Sequence, residues 1–348
     1  MSKDTFTWHP DQDDVYEGAV YGRTMLHDLP FGAFSKDVGK SFTMNGEDAD
    51  SLTLSPTPSG GAAWHQSSRF DINGGTLAIN PPHYGGVLLF GDDSSGPDQN
   101  VILNIRGAFV VNQINIIGRA PSAPCTINLY ARGQCRITGS LFSGSFAINV
   151  NDSGSMSVSA HSIEIDDGTY FANGVANEES PSIELIALRS LANLQSGYLA
   201  ISRHEFVCKS ASVSRLRAMS MSLAETHIRA EESASLLVAC DSIDVDSGTV
   251  FAVGQGSAVM TFTGSEKNAA PFDFFNNAYP KGLFNFITTE GINKSTFRFL
   301  NVGNSAYDFK KMQTDGVITI DGAPDTQSKC DWRSEVDGPD KYFAIFLK

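Results

Sequence analysis

Adjacent carboxylates are the first residues of this sequence whose type and spacing can do chemistry. Asp166 and Asp167 stand side by side in the phrase IEIDDG. Enzymes that hydrolyse glycosidic bonds use two carboxyl groups held roughly 5 to 9.5 Å apart. Asp166 and Asp167 are therefore the candidate catalytic residues if this protein cleaves a polysaccharide.

The context of this pair favours a structural role. IEIDDG resembles the aspartate pair of polygalacturonase-type enzymes, but the GHG and RIK phrases that accompany the pair in that family are absent. In an internal repeat Asp166 recurs as Asp246 with the glycine two residues later preserved, whereas Asp167 is replaced by Ser247. An aspartate that recurs beside a glycine is typical of a turn, so we expect a turn here and assign no catalytic residue.

Aromatic and histidine side chains supply the candidates for ligand contact, namely Trp64, His65, His83 and Tyr84. They lie in turn-rich segments, and an exposed ring offers a flat apolar face to a sugar. The seven histidines include no pair at i, i+4, and no P-loop, EF-hand or HExxH motif is present. The sequence therefore predicts neither a metal site nor a cofactor.

A gapless internal repeat indicates how these residues are positioned. Residues 155–174 (SMSVSAHSIEIDDGTYFANG) match residues 235–254 (SLLVACDSIDVDSGTVFAVG) at ten of twenty positions, at an offset of 80. A fixed offset between related segments is the signature of a repeat architecture.

A shorter rhythm predicts the elements of that architecture. Apolar–polar–apolar units recur as LTL at 52–54, LAI at 77–79, LNI at 103–105, INL at 127–129 and INV at 148–150. Their first residues are 25, 26, 24 and 21 apart, with Gly, Ser, Asn, Asp and Pro between them. Each unit is a short period-2 strand, and such strands bury their apolar side chains by stacking coil on coil. We predict an all-β fold, a single-stranded parallel β-helix with caps at both ends, over the competing antiparallel sandwich.

Three regions follow from the rhythm. Residues 1–50 break it and are predicted to be an N-terminal cap or docking segment; residues 51–265 are the predicted β-solenoid; residues 266–348 are Phe-rich and are predicted to form wider coils and a terminal cap. Residues 180–197 are the best helix candidate, although the phrase Ile183-Glu-Leu185 can equally be a strand.

The strand phrases and the Ser/Gly/Asn/Asp turns, together with the run GVITIDG at 316–322, give the chain a resemblance to right-handed β-helix proteins of the bacterial surface, of the adhesin and autotransporter-passenger type. Phage tailspikes are a second resemblance. Members of these groups act as adhesins, as scaffolds or as enzymes on polysaccharides. The resemblance therefore implies the fold and its right-handedness, and it does not choose the activity.

Charge and composition exclude several partners. Lys plus Arg number 25 and Asp plus Glu 39, for a net charge of -14, which disfavours nucleic acid and anionic membranes. No stretch is apolar enough for a membrane span or for a signal peptide after Lys3. We expect a cytoplasmic protein, or an extracellular or virion-associated one that leaves the cell without a signal. The five cysteines are odd in number and widely spaced, and are expected to be core residues without a disulfide framework.

These observations favour a non-enzymatic, adhesin-like solenoid that presents an extended acidic surface to a glycan or a surface protein. A hydrolase or lyase on the same fold is the first alternative, and a secreted toxin or effector delivered by residues 1–50 is the second. The tailspike resemblance implies association into a homo-oligomer, most simply a trimer.

Overall fold

The structure, a computed structural model, describes residues 5–57, 60–82, 85–91, 101–119, 125–173, 181–187, 197–265, 271–274, 276–289, 291–300 and 305–348. The chain divides into two compact units, Met1–Tyr170 and Phe171–Lys348. Each unit is described by itself.

Short strands make up most of the first unit, together with helix α1 (Gly18–Tyr21) and a 3-10 turn at Phe31–Phe34. The strands are β1 (Asp14–Glu17), β2 (Arg23–His27), β3 (Ser41–Asn45), β4 (Ser51–Ser55), β5 (Gly61–Trp64), β6 (Arg69–Ile72), β7 (Thr76–Ile79), β8 (Val87–Phe90), β9 (Ile102–Ile105), β10 (Ala108–Val111), β11 (Asn115–Gly118), β12 (Cys125–Leu129), β13 (Gln134–Thr138), β14 (Leu141–Asn151) and β15 (Ser155–Ala160), and β16 (Ser162–Asn173) crosses the boundary between the units.

Over the residues described, β1 to β15 pair in parallel and form three ladders. Ladder I contains β1, β3, β6, β9, β12 and residues 146–150 of β14. Ladder II contains β2, β4, β7, β10, β13 and β15. Ladder III contains β5, β8, β11 and residues 142–144 of β14. One coil therefore uses three strands, and the unit is a parallel β-solenoid, as the sequence predicts.

The core of the first unit consists of the inward side chains of successive coils stacked on one another. In ladder I the register places Phe42, Phe70, Leu103, Ile127 and Ile148 in one column, and all five are buried. Each coil covers the apolar side of the next and removes it from water. The alternation of buried and half-buried residues along each strand follows from the period-2 geometry.

The predicted spacing of about 25 residues merges two ladders. Leu52 and Leu77 are register partners in ladder II, but the next partner of Leu77 is Phe109, 32 residues later. Leu103, the next predicted strand, belongs to ladder I. The spacing in the sequence nevertheless looks regular, for two reasons. The coils differ in length, and the strands of ladders I and II carry the same apolar–polar–apolar pattern.

Residues 1–50, predicted as a cap, already contribute strands β1, β2 and β3 to the ladders. The residues that precede them cover the open end of the core. Phe6 packs edge-on against Tyr16 at 5.2 Å, and Trp8 stacks on Phe42 at 4.9 Å. This aromatic layer shields the inward side chains of the first coil from water.

The second unit is built in the same way. Its strands are β17 (Ser182–Ala187), β18 (Tyr198–Lys209), β19 (Val213–Arg217), β20 (Ser220–Ala224), β21 (His227–Glu232), β22 (Ser235–Ala239), β23 (Ser242–Val245), β24 (Val250–Gly256), β25 (Val259–Thr263), β26 (Phe284–Phe286), β27 (Thr296–Leu300), β28 (Ile318–Ile320), β29 (Ala323–Pro324), β30 (Cys330–Asp337) and β31 (Asp340–Leu347), with helix α2 (Ser305–Thr314) before β28.

Three parallel ladders again result. Ladder IV joins residues 198–202 of β18 to β20 and β23; ladder V joins residues 205–208 of β18 to β21, β24, β26 and β28; ladder VI joins β17, β19, β22, β25 and β27. Strand β31 then pairs antiparallel with β27 and with β30, which covers the exposed edge of ladder VI. The antiparallel sandwich is excluded for both units.

The helix predicted over residues 180–197 is wrong where the structure describes it. Residues 182–187 form β17, which pairs with β19, and residues 188–196 lie outside the described residues. Ile183, Leu185 and Ala187 alternate inward, so the period-2 pattern prevails over the helical spacing.

All five cysteines are buried and free, as predicted. Burial raises the pKa of the Cys125, Cys208 and Cys240 thiols to about 12, so they remain protonated and act as small apolar side chains. Among the described residues, the two helices are too short to cross a bilayer.

Candidate functional site

Of the four predicted ligand residues, the structure describes Trp64 and His65. Trp64 is 0 % exposed: its ring stacks on Phe70 at 3.8 Å, and its Nε1 donates to the Phe34 carbonyl oxygen at 3.1 Å. A sugar therefore has no access to this ring. His65, the next residue, is half-buried, and His83 and Tyr84 lie outside the described residues.

Asp166 and Asp167 lie at a corner of β16, and both side chains are exposed. Asp167 has a φ of 60° and Gly168 a φ of 142°, and the Ser145 hydroxyl donates to the Asp166 carbonyl oxygen. These are features of a sharp bend in the chain. Catalysis by this pair, the alternative to the expected turn, is not tested by these features.

The repeat partner Asp246 is a turn former. Its Oδ1 accepts from the Glu225 and Gly248 amides, each at 3.0 Å, and from the Thr249 hydroxyl at 2.8 Å. Burial acts to raise the pKa of Asp246, but these hydrogen bonds outweigh it and hold the pKa below its usual value. The carboxylate therefore fixes the turn between β23 and β24, and its bond to the Glu225 amide ties this turn to the preceding coil.

Sequence reasoning missed a groove on the first unit, which we call the arginine groove. It has a volume of about 380 Å³ and is lined by Asp48, Gly75, Thr76, Arg106, Gly107, Ala108, Ala131, Arg132 and Gln134. These residues belong to, or directly follow, the turns that lead from ladder I to ladder II in four successive coils.

Unequal turn lengths create the groove. The turns at 73–75 and 106–107 contain three and two residues, whereas those at 46–50 and 130–133 contain five and four. The short turns form the floor and the long turns the walls. The floor is tightly packed, since a Cβ on Gly107 would stand 2.4 Å from the Gly75 carbonyl oxygen.

Arg106 is held in a defined position in this groove. Its guanidinium lies 4.6 Å from the centre of the Tyr130 ring, and its Nη1 is 3.4 Å from the Asn73 side-chain oxygen. A guanidinium carries five N–H donors in a fixed plane, so most of them remain available. Arg132 is exposed on the wall of the groove, and its backbone N–H donates to the Ser153 hydroxyl at 3.1 Å.

Beside the groove, a row of amides runs along the outer side of ladder I. Asn104 donates to Asp71 at 2.8 Å, Asn128 donates to Asn104 at 2.9 Å, and Asn149 donates to Asn128 at 2.9 Å. We call this row the asparagine ladder. Each interior amide uses one donor and one acceptor for the row, and the row repeats at the strand spacing of about 4.8 Å.

One sequence signal would have indicated this region. Residues 99–151 contain four arginines and no Asp or Glu, in a chain whose net charge is -14. The predicted extended acidic surface thus does not include this part of the first unit. Elsewhere, the described residues contain no group of three or more His, Cys, Asp or Glu side chains that could hold a metal ion.

Comparison with known proteins gives no relative: no protein-family model, curated protein or solved structure matches this chain.

Proposed function

We propose that this chain is a non-enzymatic, adhesin-like binding protein and that it recognises a glycan with the outer side of ladder I and the adjoining arginine groove. The groove itself carries the proposal, because it is a concave surface with convergent polar groups on a scaffold built from backbone ladders.

The chemistry of the surface suits a sugar. Arg106, Arg132 and Gln134 present planar donors and acceptors, and the half-buried Asn128 and Asn149 of the asparagine ladder add groups of the same kind. Such groups can bond to the many hydroxyls of a saccharide in more than one way. Tyr130, half-buried at the rim, adds apolar surface.

The scaffold reduces the cost of binding. The lining residues stand on coils whose backbones are hydrogen-bonded to their neighbours, and Arg106 is packed on Tyr130. Little backbone ordering, and little ordering of the Arg106 side chain, is then required when a ligand binds.

Binding of the purified full-length protein to an array of polysaccharides, followed by titration of the bound ones, tests the proposal. We expect saturable binding that Tyr130→Ala weakens and that Tyr198→Ala, a change at an exposed tyrosine of the second unit, leaves unchanged. Absence of binding to every glycan contradicts the proposal. Release of reducing ends or unsaturated sugars that Asp166→Asn and Asp167→Asn abolish would show the enzymatic alternative instead.

A further inference from the structure

The arginine groove is a cationic site on an acidic chain. Two arginines and a single carboxylate, Asp48, line it, while the chain as a whole has 14 more acidic than basic residues. The stretch 99–151 has no acidic residue, so the side of the groove formed by Arg106 and Arg132 carries no carboxylate from that stretch. The opposite wall, the 46–50 turn, carries Glu47, Asp48 and Asp50.

Neither arginine is used by the fold as an ion-pair partner. Arg69 pairs with Asp71 at 2.7 Å and Arg215 pairs with Glu184 at 2.9 Å, but no carboxylate of the described residues forms an ion pair with Arg106 or Arg132. The two guanidinium groups of the groove are therefore available to a ligand.

We propose that the arginine groove binds the anionic group of an acidic sugar, a carboxylate or a sulfate, so that the glycan recognised by this protein is an acidic polysaccharide. This inference rests on the proposed function. Guanidinium groups match the paired oxygens of a carboxylate or sulfate with two parallel N–H donors. Arg106 is already oriented by Tyr130 and Asn73.

Asp48 gives the site a polarity. It stands on the 46–50 turn, whereas Arg132 stands on the 130–133 turn. The carboxylate accepts hydrogen bonds from sugar hydroxyls and repels a second anion, so the acidic group is bound on the arginine side and neutral parts of the chain lie toward Asp48.

Matched polymers test the proposal with the full-length protein. Dextran sulfate is compared with dextran, and polygalacturonate with its methyl ester, by titration at low and at high salt. We expect each charged polymer that binds to do so at least about tenfold more tightly than its neutral counterpart, and we expect salt to reduce the difference. The arm that binds identifies sulfate or carboxylate as the source of the anion.

Variants assign the binding to the groove. Arg106→Gln and Arg132→Gln are each expected to weaken binding by about tenfold or more, since each removes a charge-assisted contact. Arg136→Gln, at an exposed arginine of β13 that does not line the groove, is the control and is expected to change binding less than about twofold. Thermal unfolding of each variant reports that the fold is intact.

The outcomes separate the two proposals. Binding of neutral and charged polymers with equal affinity, or binding that survives both groove variants, overturns the anion site and leaves glycan recognition standing. Failure of every glycan to bind overturns the proposed function as well. A DNA duplex is a polyanion without sugar carboxylates or sulfates. If it binds as tightly as the charged polysaccharide, the groove is a site for negative charge in general, and its assignment to an acidic sugar is overturned.

Discussion

Replacement of the buried lysine at the N-terminal end of the first unit, Lys36→Met, should release the segment that covers the core. Lys36 is 0 % exposed, and its Nζ donates to the carbonyl oxygens of His9 (2.7 Å) and Gln12 (2.9 Å) and to Asp14 Oδ2 (2.6 Å). The ammonium also lies 4.8 Å from the centre of the Trp8 ring. The Lys36 side chain thus holds three residues in place: two that precede β1 and the first residue of β1.

The size of the effect follows from what the change leaves behind. Asp14 is 6 % exposed and would become a buried carboxylate without its cation, which costs about 3 to 5 kcal/mol of unfolding free energy. The backbone N–H and Nδ1 of His9 still contact this carboxylate, at 2.9 and 3.0 Å. We therefore expect the lower end of the range, about 3 kcal/mol.

A double variant distinguishes the attraction between Lys36 and Asp14 from the cost of burying the two charges. Burial lowers the pKa of Lys36 against the opposing hydrogen bond and charge of Asp14, so desolvation outweighs the attraction. Asp14→Asn together with Lys36→Met removes both charges and should therefore cost less than the sum of the single changes.

Urea unfolding and hydrogen exchange measure these effects. In Lys36→Met, we expect the free energy of unfolding to fall and the amides of β1 to lose protection before those of the inner coils. A loss of less than about 1 kcal/mol with unchanged exchange in β1, or strictly additive single changes, would refute the view that this pair fastens the cap.

Three further predictions concern single positions. Asp246→Asn should lower the free energy of unfolding, measured by urea titration, by about 1 kcal/mol near neutral pH. Because the pKa of Asp246 in the folded protein lies below 3.8, the difference from the wild type should persist above pH 3.8 and vanish as the pH falls further. Asn128→Ala breaks two bonds of the asparagine ladder and Asn149→Ala one, so chemical unfolding should show the former to cost about 1 kcal/mol more. Gly107→Ala forces a Cβ against the neighbouring coil and should cost about 2 kcal/mol or more in thermal unfolding, whereas Gly32→Ala, with 3.6 Å to its nearest neighbour, serves as a tolerant control.

The sequence predicts the solenoid because inward and outward positions obey a simple rule. In the strands LNI, INL and INV, the first and third residues point into the core and the central asparagine points to the outer side of ladder I. These strands stack in register. In ladder III, the strand β8 (VLLF) carries no polar residue. Because a strand such as β8 lacks the apolar–polar alternation, the sequence pattern identifies only one or two strands of each coil. The predicted coil length is therefore the distance between strands that belong to two different ladders.

Trp64 shows why candidate ligand residues were harder to predict. In sequence, an exposed aromatic ring and a buried one look the same, and the turn-rich surroundings favoured exposure. The strand GAAW nevertheless has period two, and Ala62 and Trp64 share its inward side. The tertiary stacking of Trp64 on Phe70 then settles the position of the ring.

The groove was beyond sequence reasoning because it depends on differences between turns. A turn of two residues at 106–107 has no meaning until the coils above and below it are known to have turns of three and four. Only the register of ladders I and II shows that Arg106 and Arg132 lie on adjacent coils.

Separation of core and surface explains how such a site arises on this fold. A coil is stable when its inward side chains stack on those of the next coil, and this requirement leaves the outward residues and the turn lengths nearly free. In the first unit the inward column from Phe42 to Ile148 is apolar without interruption, while the turns beside it vary from two to five residues. Both the depth of the groove and its charge therefore come from positions that the core does not constrain. A change at Arg132 should accordingly alter binding and leave stability nearly unchanged, and one at Arg106 should cost only its surface contacts with Tyr130 and Asn73. Changes in the inward column should instead lower stability and leave the binding groups in place.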